Sequence, residues 1–445
     1  MLISLLRDDF MQKALEFYDI YPKLVPADKT VTIHIRPLFE HVQFEEGAEY
    51  EVLYYPMERI SPHGEYRYEM PKLAVAKNGM LVIEQLFSGE QEHMIIINDL
   101  EEKMEPLNVR IYSLKPDLFS KRPYKGDTHT HSYYSDGEES PGFIAASCRR
   151  VGFDFMAVTD HHQYEPSLEA QKCFAETATD LLICEGEEVH LPDNPVHIVN
   201  FGGKSSLNQF VRKNEEEYYH QVHRNEKELM HIQDKDARFQ LASSKWGFEK
   251  IRQYGGLGVF CHPFWEVWTG YYVSRTVIDY MMANSLFDAV EILGGFYSHE
   301  EYANRLQVAR YQEERAKGRN IAILGASDAH GCNINRLFGW FYTVVFAEEL
   351  QTECLIANIK KFYSVAVANL PNEHERSYGP YRLVKYTQYL LREVFPLHDR
   401  LCNREGEQMF AHLAKDKRAE KQLLLMQGQT KSLYNKLWAK ESEIV

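Results

Sequence analysis

The chain has 445 residues, of which 44% are hydrophobic and 26% charged, a composition typical of a globular protein with roughly two or three domains. Its formal net charge of −15 argues against long nucleic acid or an anionic membrane as a general partner, although a local basic pocket stays compatible with it. The apolar run at the N-terminus is interrupted at Arg7, and no later run approaches the roughly 18 uncharged apolar residues that a membrane span needs.

Seven cysteines without a C-x-x-C pair predict reduced thiols and a cytoplasmic location. A short helix is predicted within residues 1–20. The following part, up to residue 120, predicts a small all-β, sandwich-like domain, because apolar and polar residues alternate along six short segments. These segments are residues 30–37, 49–56, 72–76, 80–87, 92–99 and 108–114. Asn78-Gly79, between two of them, predicts a hairpin turn. The domain serves either packing and oligomerisation or substrate binding.

Residues 121–370 change to strands that alternate with helices. Pro141 is expected to begin a helix that Ser140 caps. Near-continuous apolar strands predict a parallel sheet buried on both faces, and their number favours a distorted (β/α) barrel of the TIM type. The predicted strands are 125–128, 153–160, 181–189, 196–202, 257–263, 288–295, 320–330 and 341–346.

Two further regions flank or interrupt this barrel. Residues 204–254 are polar and helical in pattern, which makes them either a lid over the barrel or a solvated excursion. Residues 371–445 predict a C-terminal helical tail that packs on the barrel or on a partner.

Histidines and carboxylates follow the predicted strands at the end where barrel enzymes build their sites. His129 and His131 are two residues apart, so they face the same side of an extended segment, and Asp136 follows them. The same end of the barrel is predicted to carry Asp160, His161, Glu187, Glu188, His262, Asp328 and His330. His197 lies at the head of its strand and joins the others only if the preceding turn folds back over this rim. Such a set predicts a multinuclear metal site.

These motifs resemble the PHP family, the polymerase and histidinol phosphatase domain. The resemblance covers residues 122–370 and is carried by HTH (129–131) with Asp136, TDHH (159–162), GEEV (186–189), His197 of PVHIVNF, CHP (261–263) and SDAH (327–330). The GEEV, VHIV and CHP elements look most like the branch that acts on nucleotide phosphates. Glu187 departs from the family pattern, and Glu188 is taken as the ligand because it lies two residues after Gly186, as in the family.

The resemblance implies two or three divalent ions, Mn, Zn or Fe. His129, His131, Glu188 and Asp328 would hold the first ion, Glu188 with His197 and His262 the second, and Asp136, His161 and His330 the third. Imidazole and carboxylate ligands suit these metals. A hydroxide held between two ions about 4 Å apart would be the nucleophile. Asp160 is predicted to orient the imidazole of His161.

Substrate contacts are less well specified. Arg336 follows His330 by six residues and is either a phosphate-binding residue or a surface arginine. Basic residues of the 204–254 insertion are further candidates. Trp265 and Trp268 either pack beneath a lid or stack on a base, and Tyr133 and Tyr134 are expected to line the pocket.

The sequence therefore predicts a metal-dependent phosphoesterase for a nucleotide or a phosphorylated metabolite, and it is compatible with a homo-oligomer. A nuclease or phosphodiesterase would require a basic groove. An amidohydrolase-type enzyme would usually carry a carboxylated lysine where Glu188 stands. A non-catalytic metal- or ligand-binding module would not be expected to keep all ligand positions filled.

Overall fold

The computed structural model describes residues 14–58, 70–101, 103–267, 270–295, 301–333 and 338–445. They form two compact units. The first contains the described residues of Met1–Arg122 with Tyr389–Pro396 and Gly428–Val445, and the second contains Pro123–Gln388 and Leu397–Gln427. The C-terminal segment thus contributes to both units, and the domain boundaries at residues 120 and 370 stay predictions.

The described residues of the first unit form eight strands, and these include the six that alternation predicts. They are β1 (Tyr18–Tyr21), β2 (Leu24–Pro26), β3 (Lys29–Pro37), β4 (Glu49–Pro56), β5 (Lys72–Val75), β6 (Leu81–Phe87), β7 (Glu92–Asp99) and β8 (Leu107–Leu114). A short helix is predicted within residues 1–20. Residues 14–17 are helical and β1 begins at Tyr18, so this helix ends earlier than expected. Residues 1–13 of the chain lie outside the described residues.

Two sheets share the core of this unit. One has the strand order β1-β3-β6 and the other β2-β8-β7-β4-β5. Alternate residues of each strand point inward, as Val31, Ile33 and Ile35 do in β3, because successive side chains of a strand face opposite sides.

The Asn78-Gly79 turn corrects one expectation. Both residues have positive φ, 53° and 69°, and Lys77 pairs with Met80 across the turn, as a two-residue turn requires. The flanking strands nevertheless do not pair with each other, since β5 pairs with β4 and β6 with β3. The turn therefore connects the two sheets instead of closing a hairpin.

The other described strands lie in the second unit, and some of them carry residues of the candidate site. They are β9 (Arg122–Asp127), β10 (Phe155–Ala157), β11 (Leu182–Cys184), β12 (Gly186–His190), β13 (His197–Phe201), β14 (Leu257–Phe260), β15 (Glu266–Val267), β16 (Gly270–Tyr271), β17 (Ala289–Leu293), β18 (Ile323–Gly325), β19 (Phe341–Ala347), β20 (Ser364–Ala368) and β21 (Arg376–Tyr378). The described helices of the chain are Pro116–Phe119, Pro141–Arg150, Glu165–Cys173, Leu207–Lys213, Glu215–Glu226, Lys235–Gln253, Arg275–Asn284, Glu301–Ala316, Thr352–Lys360, Tyr381–Glu393, Phe395–Leu413, Ala419–Met426 and Gln429–Leu437. Ser140 accepts a hydrogen bond from the Phe143 amide, as the predicted cap requires.

The large strands of this unit form two sheets with the orders β11-β10-β9-β19-β20-β21 and β12-β13-β14-β17-β18. The result is an α/β fold with a curled half-barrel sheet and a helical C-terminus. A complete barrel of the TIM type stays a prediction.

Several strands depart from the predicted parallel arrangement. β13 is antiparallel to both β12 and β14, whereas β14, β17 and β18 are mutually parallel. The cause is the short connection of residues 191–196, because a parallel neighbour would require a crossover of a dozen or more residues. β19 and β20 are likewise antiparallel and are separated by the helix Thr352–Lys360.

The 204–254 insertion is not a solvated excursion. Its helices contribute buried side chains to the same core as the strands, including Leu207, Tyr218, Leu241, Trp246 and Phe248. The polar overall composition hides these inward faces, since an amphipathic helix needs only one apolar stripe.

The part of the chain that the structure describes contains no helix with both the length and the apolar character needed to cross a membrane. The cytoplasmic location stays a prediction.

Candidate metal centre

A buried aspartate fixes the loop that carries the first two histidines. Asp127, the last residue of β9, accepts hydrogen bonds from the amides of His129 (3.1 Å) and Ser327 (3.0 Å). Burial raises the pKa of Asp127 to about 7, against the opposing effect of its hydrogen bonds to Ser327 and His129. The carboxylate thereby joins the HTH loop to the SDAH loop.

The carboxylate of Glu188 lies at the centre of the cluster. Its side chain is fully buried, and ring nitrogens of six histidines surround it. From Oε2 of Glu188, the distances are 2.6 Å to His161 Nδ1, 3.5 Å to His129 Nε2, 3.6 Å to His131 Nε2 and 3.7 Å to His190 Nε2. From Oε1, they are 2.8 Å to His197 Nδ1 and 3.6 Å to His262 Nε2. Burial favours protonation, but the charges of His197, His161 and His129 outweigh it and hold the pKa of Glu188 well below its usual range.

Strand alternation separates Glu188 from Glu187. Glu187 faces away from the cluster and accepts hydrogen bonds from Ser206 Oγ (2.7 Å), Asn208 Nδ2 (2.9 Å), Asn200 Nδ2 (3.1 Å) and the Leu207 amide (2.5 Å). It therefore holds the beginning of the insertion, and Glu188 is the residue that faces the histidines.

Asp328 forms the second acidic point of the cluster. Its Oδ1 accepts a hydrogen bond from His131 Nε2 at 2.9 Å and lies 3.3 Å from His129 Nε2, and its Oδ2 lies 3.9 Å from His262 Nε2. Although burial would raise it, the pKa of Asp328 is lowered by His129, His131 and His330. The residue has φ of 50°, an uncommon conformation for a residue other than glycine.

A third group lies around Asp136. His161 Nε2 is 3.4 Å from one of its carboxylate oxygens, and His330 Nε2 is 3.3 Å from the other. His131 Nδ1 lies 3.9 Å away. The structure thus brings Asp136, His161 and His330 together, with His131 beside them.

The antiparallel direction of β13 explains why His197 joins the site. His197 begins β13 and pairs in register with His190 at the end of β12, so the head of this strand lies at the edge where its neighbour ends. The condition stated from sequence, that the preceding turn folds back over the rim, is met by residues 191–196. Burial lowers the pKa of His197 to about 4 in spite of the neighbouring Glu188.

Glu291 is a site residue that the motifs do not contain. It lies in β17, is fully buried, and accepts a hydrogen bond from His129 Nδ1 at 2.9 Å. Its other oxygen accepts from the His262 amide at 3.2 Å. A carboxylate in this position fixes the ring and directs Nε2 of His129 towards Glu188. The sequence did offer a signal, an acidic residue inside the apolar strand AVEIL.

His190 is a second residue that the prediction omits. Its Nε2 lies 2.8 Å from His161 Nδ1 and 3.7 Å from Glu188 Oε2. His190 is two residues after Glu188 and therefore on the same face of β12, which the alternation rule would have indicated.

Asp160 differs from its predicted role. Its oxygens accept hydrogen bonds from the Ser132 amide (2.8 Å), Ser132 Oγ (2.6 Å) and Ser135 Oγ (2.6 Å), not from the imidazole of His161. Asp160 therefore holds the loop between His131 and Asp136 in place. Burial raises its pKa, against the opposing effect of these hydrogen bonds.

The predicted substrate contacts have mixed outcomes. Arg336 and Trp268 lie outside the described residues. The centroid of the Trp265 ring lies 5.6 Å from that of His197 and 5.0 Å from that of Tyr272, so Trp265 packs beside the histidine cluster. Tyr133 and Tyr134 are about half exposed and stack on each other.

The pKa values of His129 and His131 are shifted in opposite directions. Burial lowers the pKa of His129, but Asp328, Glu291 and Glu188 outweigh it and raise the pKa well above its usual value. Burial and the charge of His330 lower the pKa of His131 to about 3. One cluster thus mixes histidines that favour a positive charge with histidines that resist it.

The donor set fits divalent metal ions. His129 Nε2, His197 Nδ1 and both oxygens of Glu188 are buried and form no hydrogen bond with the described residues. An unsatisfied buried polar atom costs about 1–3 kcal/mol, so a cation at these atoms would offset a real penalty. Several groups of side chains have ligand atoms that all lie within 4.8 Å of one another inside the group. Three of these groups are His131, Asp136, His161 and His330; His129, His131 and Asp328; and His161, Glu188 and His190. Imidazole with carboxylate suits Mn, Fe and Zn.

Comparison with curated proteins gives a short match. The chain is 43% identical over 56 residues to the DNA polymerase/3'-5' exonuclease PolX of Bacillus subtilis. The match covers 13% of this chain and 10% of that protein. No family model matches the chain.

Two solved structures extend the comparison. One is a two-domain protein containing a predicted PHP-like metal-dependent phosphoesterase from Bacteroides vulgatus, with 15% identity, a TM-score of 0.38, and coverage of 56% of this chain and 65% of that one. The other is a putative metal-dependent phosphoesterase from Bifidobacterium adolescentis, with 17% identity, a TM-score of 0.33, and coverage of 46% and 87%. The chain resembles the PHP family. TM-scores this low carry neither a reaction nor a substrate from these proteins to this chain.

Proposed function

We propose that this chain is a metal-dependent phosphoesterase that hydrolyses a small phosphate ester, a nucleotide or a phosphorylated metabolite. The observation that carries this proposal is the buried carboxylate of Glu188, which lies within 2.6–3.7 Å of six imidazole nitrogens and forms no hydrogen bond with any described residue. Such a group is costly in a protein that binds no cation there and well suited to one that does.

Three ligand sets are proposed, as the resemblance implies. They are His129, His131, Glu188 and Asp328; Glu188, His197 and His262; and Asp136, His161 and His330. Bound divalent ions would lower the pKa of coordinated water towards about 7 and offset the negative charge that develops on phosphoryl oxygens.

The remaining residues prepare this site. Glu291 holds Nδ1 of His129 and so leaves Nε2 for the cluster. His330 Nδ1 donates to the backbone oxygen of Asp328 at 2.8 Å, which leaves its Nε2 near Asp136. Asp160 and Asp127 hold the two loops that carry these ligands.

Side-chain nucleophiles are disfavoured among the described residues of the cluster. Cys261 lies beside His129 and Glu291, but burial and the charge of Glu291 raise the pKa of its thiol well above the usual value. A protonated thiol is a weak nucleophile. Ser132 and Ser327 donate their hydroxyl protons to Asp160 and Asp127. Ser135 lies 3.5 Å from His131 Nδ1 but donates to Asp160 at 2.6 Å. Water is therefore the proposed attacking group.

The test is phosphate release from a panel of phosphomonoesters, including nucleoside mono- and bisphosphates, with Mn²⁺ added and again after chelation. The proposal expects release that requires metal, and it expects Asp328→Asn to remove this activity while circular dichroism and the melting temperature stay near those of the wild type. Asp279→Asn, a partly exposed position of the same unit, is the matched control and should keep full activity.

The alternatives appear as distinct outcomes of this test. Release only from phosphodiesters or polynucleotide ends would favour a nuclease. Hydrolysis of amides without phosphate release would favour an amidohydrolase-type enzyme. Metal-loaded protein without turnover of any of these compounds would favour a binding module. Full activity of Asp328→Asn would contradict the ligand assignment.

A further inference from the structure

A cleft lies beside the metal-ligand cluster. Its volume is about 730 Å³, within the range of pockets that bind small organic ligands. Its lining includes His162, His190, Asp193, Asn208, Arg212 and Tyr272. His190 belongs to both places, since its Nε2 lies 3.7 Å from Glu188 Oε2. A molecule with one group at the cluster can therefore extend into this cleft.

Arg212 is an uncommitted cation at this cleft. Among the described residues Arg212 has neither a hydrogen bond nor an ion pair, although the chain carries 65 acidic residues. Other arginines of the second unit, such as Arg252 and Arg310, form ion pairs with acidic side chains. The acidic residue of the lining, Asp193, accepts a hydrogen bond from Tyr219 Oη at 2.8 Å. A guanidinium is suited to bidentate contacts with carboxylate and phosphate groups.

The position of Arg212 is tied to the cluster through one strand. Glu187 of β12 binds the first residues of the helix Leu207–Lys213, and Asn208 of this helix donates to the backbone oxygen of Glu188 at 2.9 Å. Residues four apart share a helix face, so Asn208 and Arg212 face the cleft together. The same strand therefore places Glu188 in the cluster and anchors the helix that carries Arg212.

We propose that Arg212 binds a second anionic group of the substrate, a carboxylate or a phosphate, while the scissile phosphate lies at the metal-ligand cluster. This inference rests on the proposed phosphoesterase function and names a substrate class within it: phosphate esters that carry a second anionic group on the part that occupies the cleft. Tyr272 and His162 form the less charged wall along which the connecting part lies.

The experiment measures binding with phosphonates, which cannot be hydrolysed, so it does not depend on turnover. Calorimetry on the Mn²⁺-loaded protein compares 3-phosphonopropionate with propylphosphonate and 4-phosphonobenzoate with phenylphosphonate. 1,3-Propanediphosphonate distinguishes a second phosphate-like group from a carboxylate. The variants are Arg212→Ala and, as a matched control, Lys213→Ala, the next residue of the helix, which does not line the cleft.

The wild type is expected to bind at least one ligand with two anionic groups about tenfold more tightly than its partner with the phosphonate alone. Arg212→Ala should remove this preference and Lys213→Ala should keep it. No preference in the wild type, or an equal preference in Arg212→Ala, would overturn the inference. Failure of the phosphoesterase proposal is separate: absence of phosphate release from every ester, together with a charge preference that depends on Arg212, would leave the anion site and remove the reaction.

Discussion

The two units each bury histidines, but they satisfy them in different ways. In the first unit, His93 Nε2 lies 2.7 Å from Ser113 Oγ and Nδ1 lies 2.9 Å from Tyr54 Oη, so both nitrogens have hydrogen-bond partners. In the second unit, the equally buried His129 Nε2 and both oxygens of Glu188 form no hydrogen bond with the described residues. Burial of a histidine is thus no sign of a metal site by itself, whereas converging unsatisfied ligand atoms are one.

The charges around His93 and His129 support the same distinction. Burial lowers the pKa of His93 to about 3, and its partners are neutral hydroxyls. Burial also acts on His129, but Asp328, Glu291 and Glu188 reverse its effect and raise the pKa. The first arrangement stabilises a neutral ring, and the second gathers negative charge around a position that a cation would suit.

The largest expected effect is the loss of activity in Glu188→Gln. This substitution keeps the size of the side chain and removes the charge that six imidazoles surround, so phosphate release should fall by about 10³-fold or more. Glu187→Gln is the matched control, because Glu187 faces the insertion, and it should keep bound metal. Steady-state phosphate release and metal content check both variants; a Glu188→Gln protein that keeps wild-type activity would contradict the comparison.

Removal of a paired buried charge should instead cost stability. Arg149 is fully buried, and its Nε donates to Glu405 at 2.7 Å while Nη1 lies 3.2 Å from Asp154. Arg149→Met removes the guanidinium from both buried carboxylates, although Asp154 keeps His398 Nε2 at 2.8 Å, and should lower the free energy of unfolding by about 3–5 kcal/mol. Denaturant unfolding measures the change. An unchanged free energy of unfolding would show that this network does not stabilise the second unit.

A smaller effect is expected for the residue that orients His129. Glu291→Gln keeps a hydrogen-bond acceptor but loses the negative charge beside Nδ1, so metal affinity should fall by about 10–100-fold. Competition with a chelator of known affinity measures the change. Glu266→Gln, an exposed position in the same unit, is the control. Equal affinity of wild type and Glu291→Gln would mean that Glu291 serves packing alone.

The smallest effect concerns His93 and pH. The folded protein holds the pKa of His93 at about 3, below the unfolded value of about 6.5, so the unfolded state binds more protons between these pH values. Stability contributed by the neutral ring is complete above about pH 6.5 and is lost as pH falls, by about 2 kcal/mol at pH 5.

His93→Gln should remove this part of the pH dependence. Hydrogen exchange of peptides from β7 at pH 5 and pH 7, corrected for the intrinsic rates, measures it in the full chain. The same pH difference in wild type and His93→Gln would contradict the role assigned to His93.

Local patterns predict much of both units. Alternation places the six strands between residues 30 and 114, and the i, i+2 spacing of His129 with His131 places two imidazoles in one cluster. The choice of Glu188 over its neighbour Glu187 comes from the family resemblance, and the structure turns Glu188 towards the histidines and Glu187 towards the insertion; its role as a ligand stays a prediction. These features depend on residues close together in the chain.

The remaining features depend on contacts between distant segments. The antiparallel direction of β13 relative to β12 follows from the short connection between them. The pattern of apolar residues does not show the path of such a connection. Glu291 is 162 residues from His129, and the insertion packs through faces that its polar composition conceals. Asp160 likewise forms hydrogen bonds to Ser132 and Ser135, a pairing that its position beside His161 does not indicate.

The most direct measurement is the metal content of the purified, dialysed protein by inductively coupled plasma mass spectrometry, before and after exposure to Mn²⁺, Zn²⁺ or Fe²⁺. The account predicts two or three tightly held divalent ions per chain, a lower melting temperature after chelation, and recovery when metal is restored. A protein that holds none of these metals and melts at the same temperature with and without chelator would contradict the claim that the unsatisfied atoms around Glu188 form a metal centre.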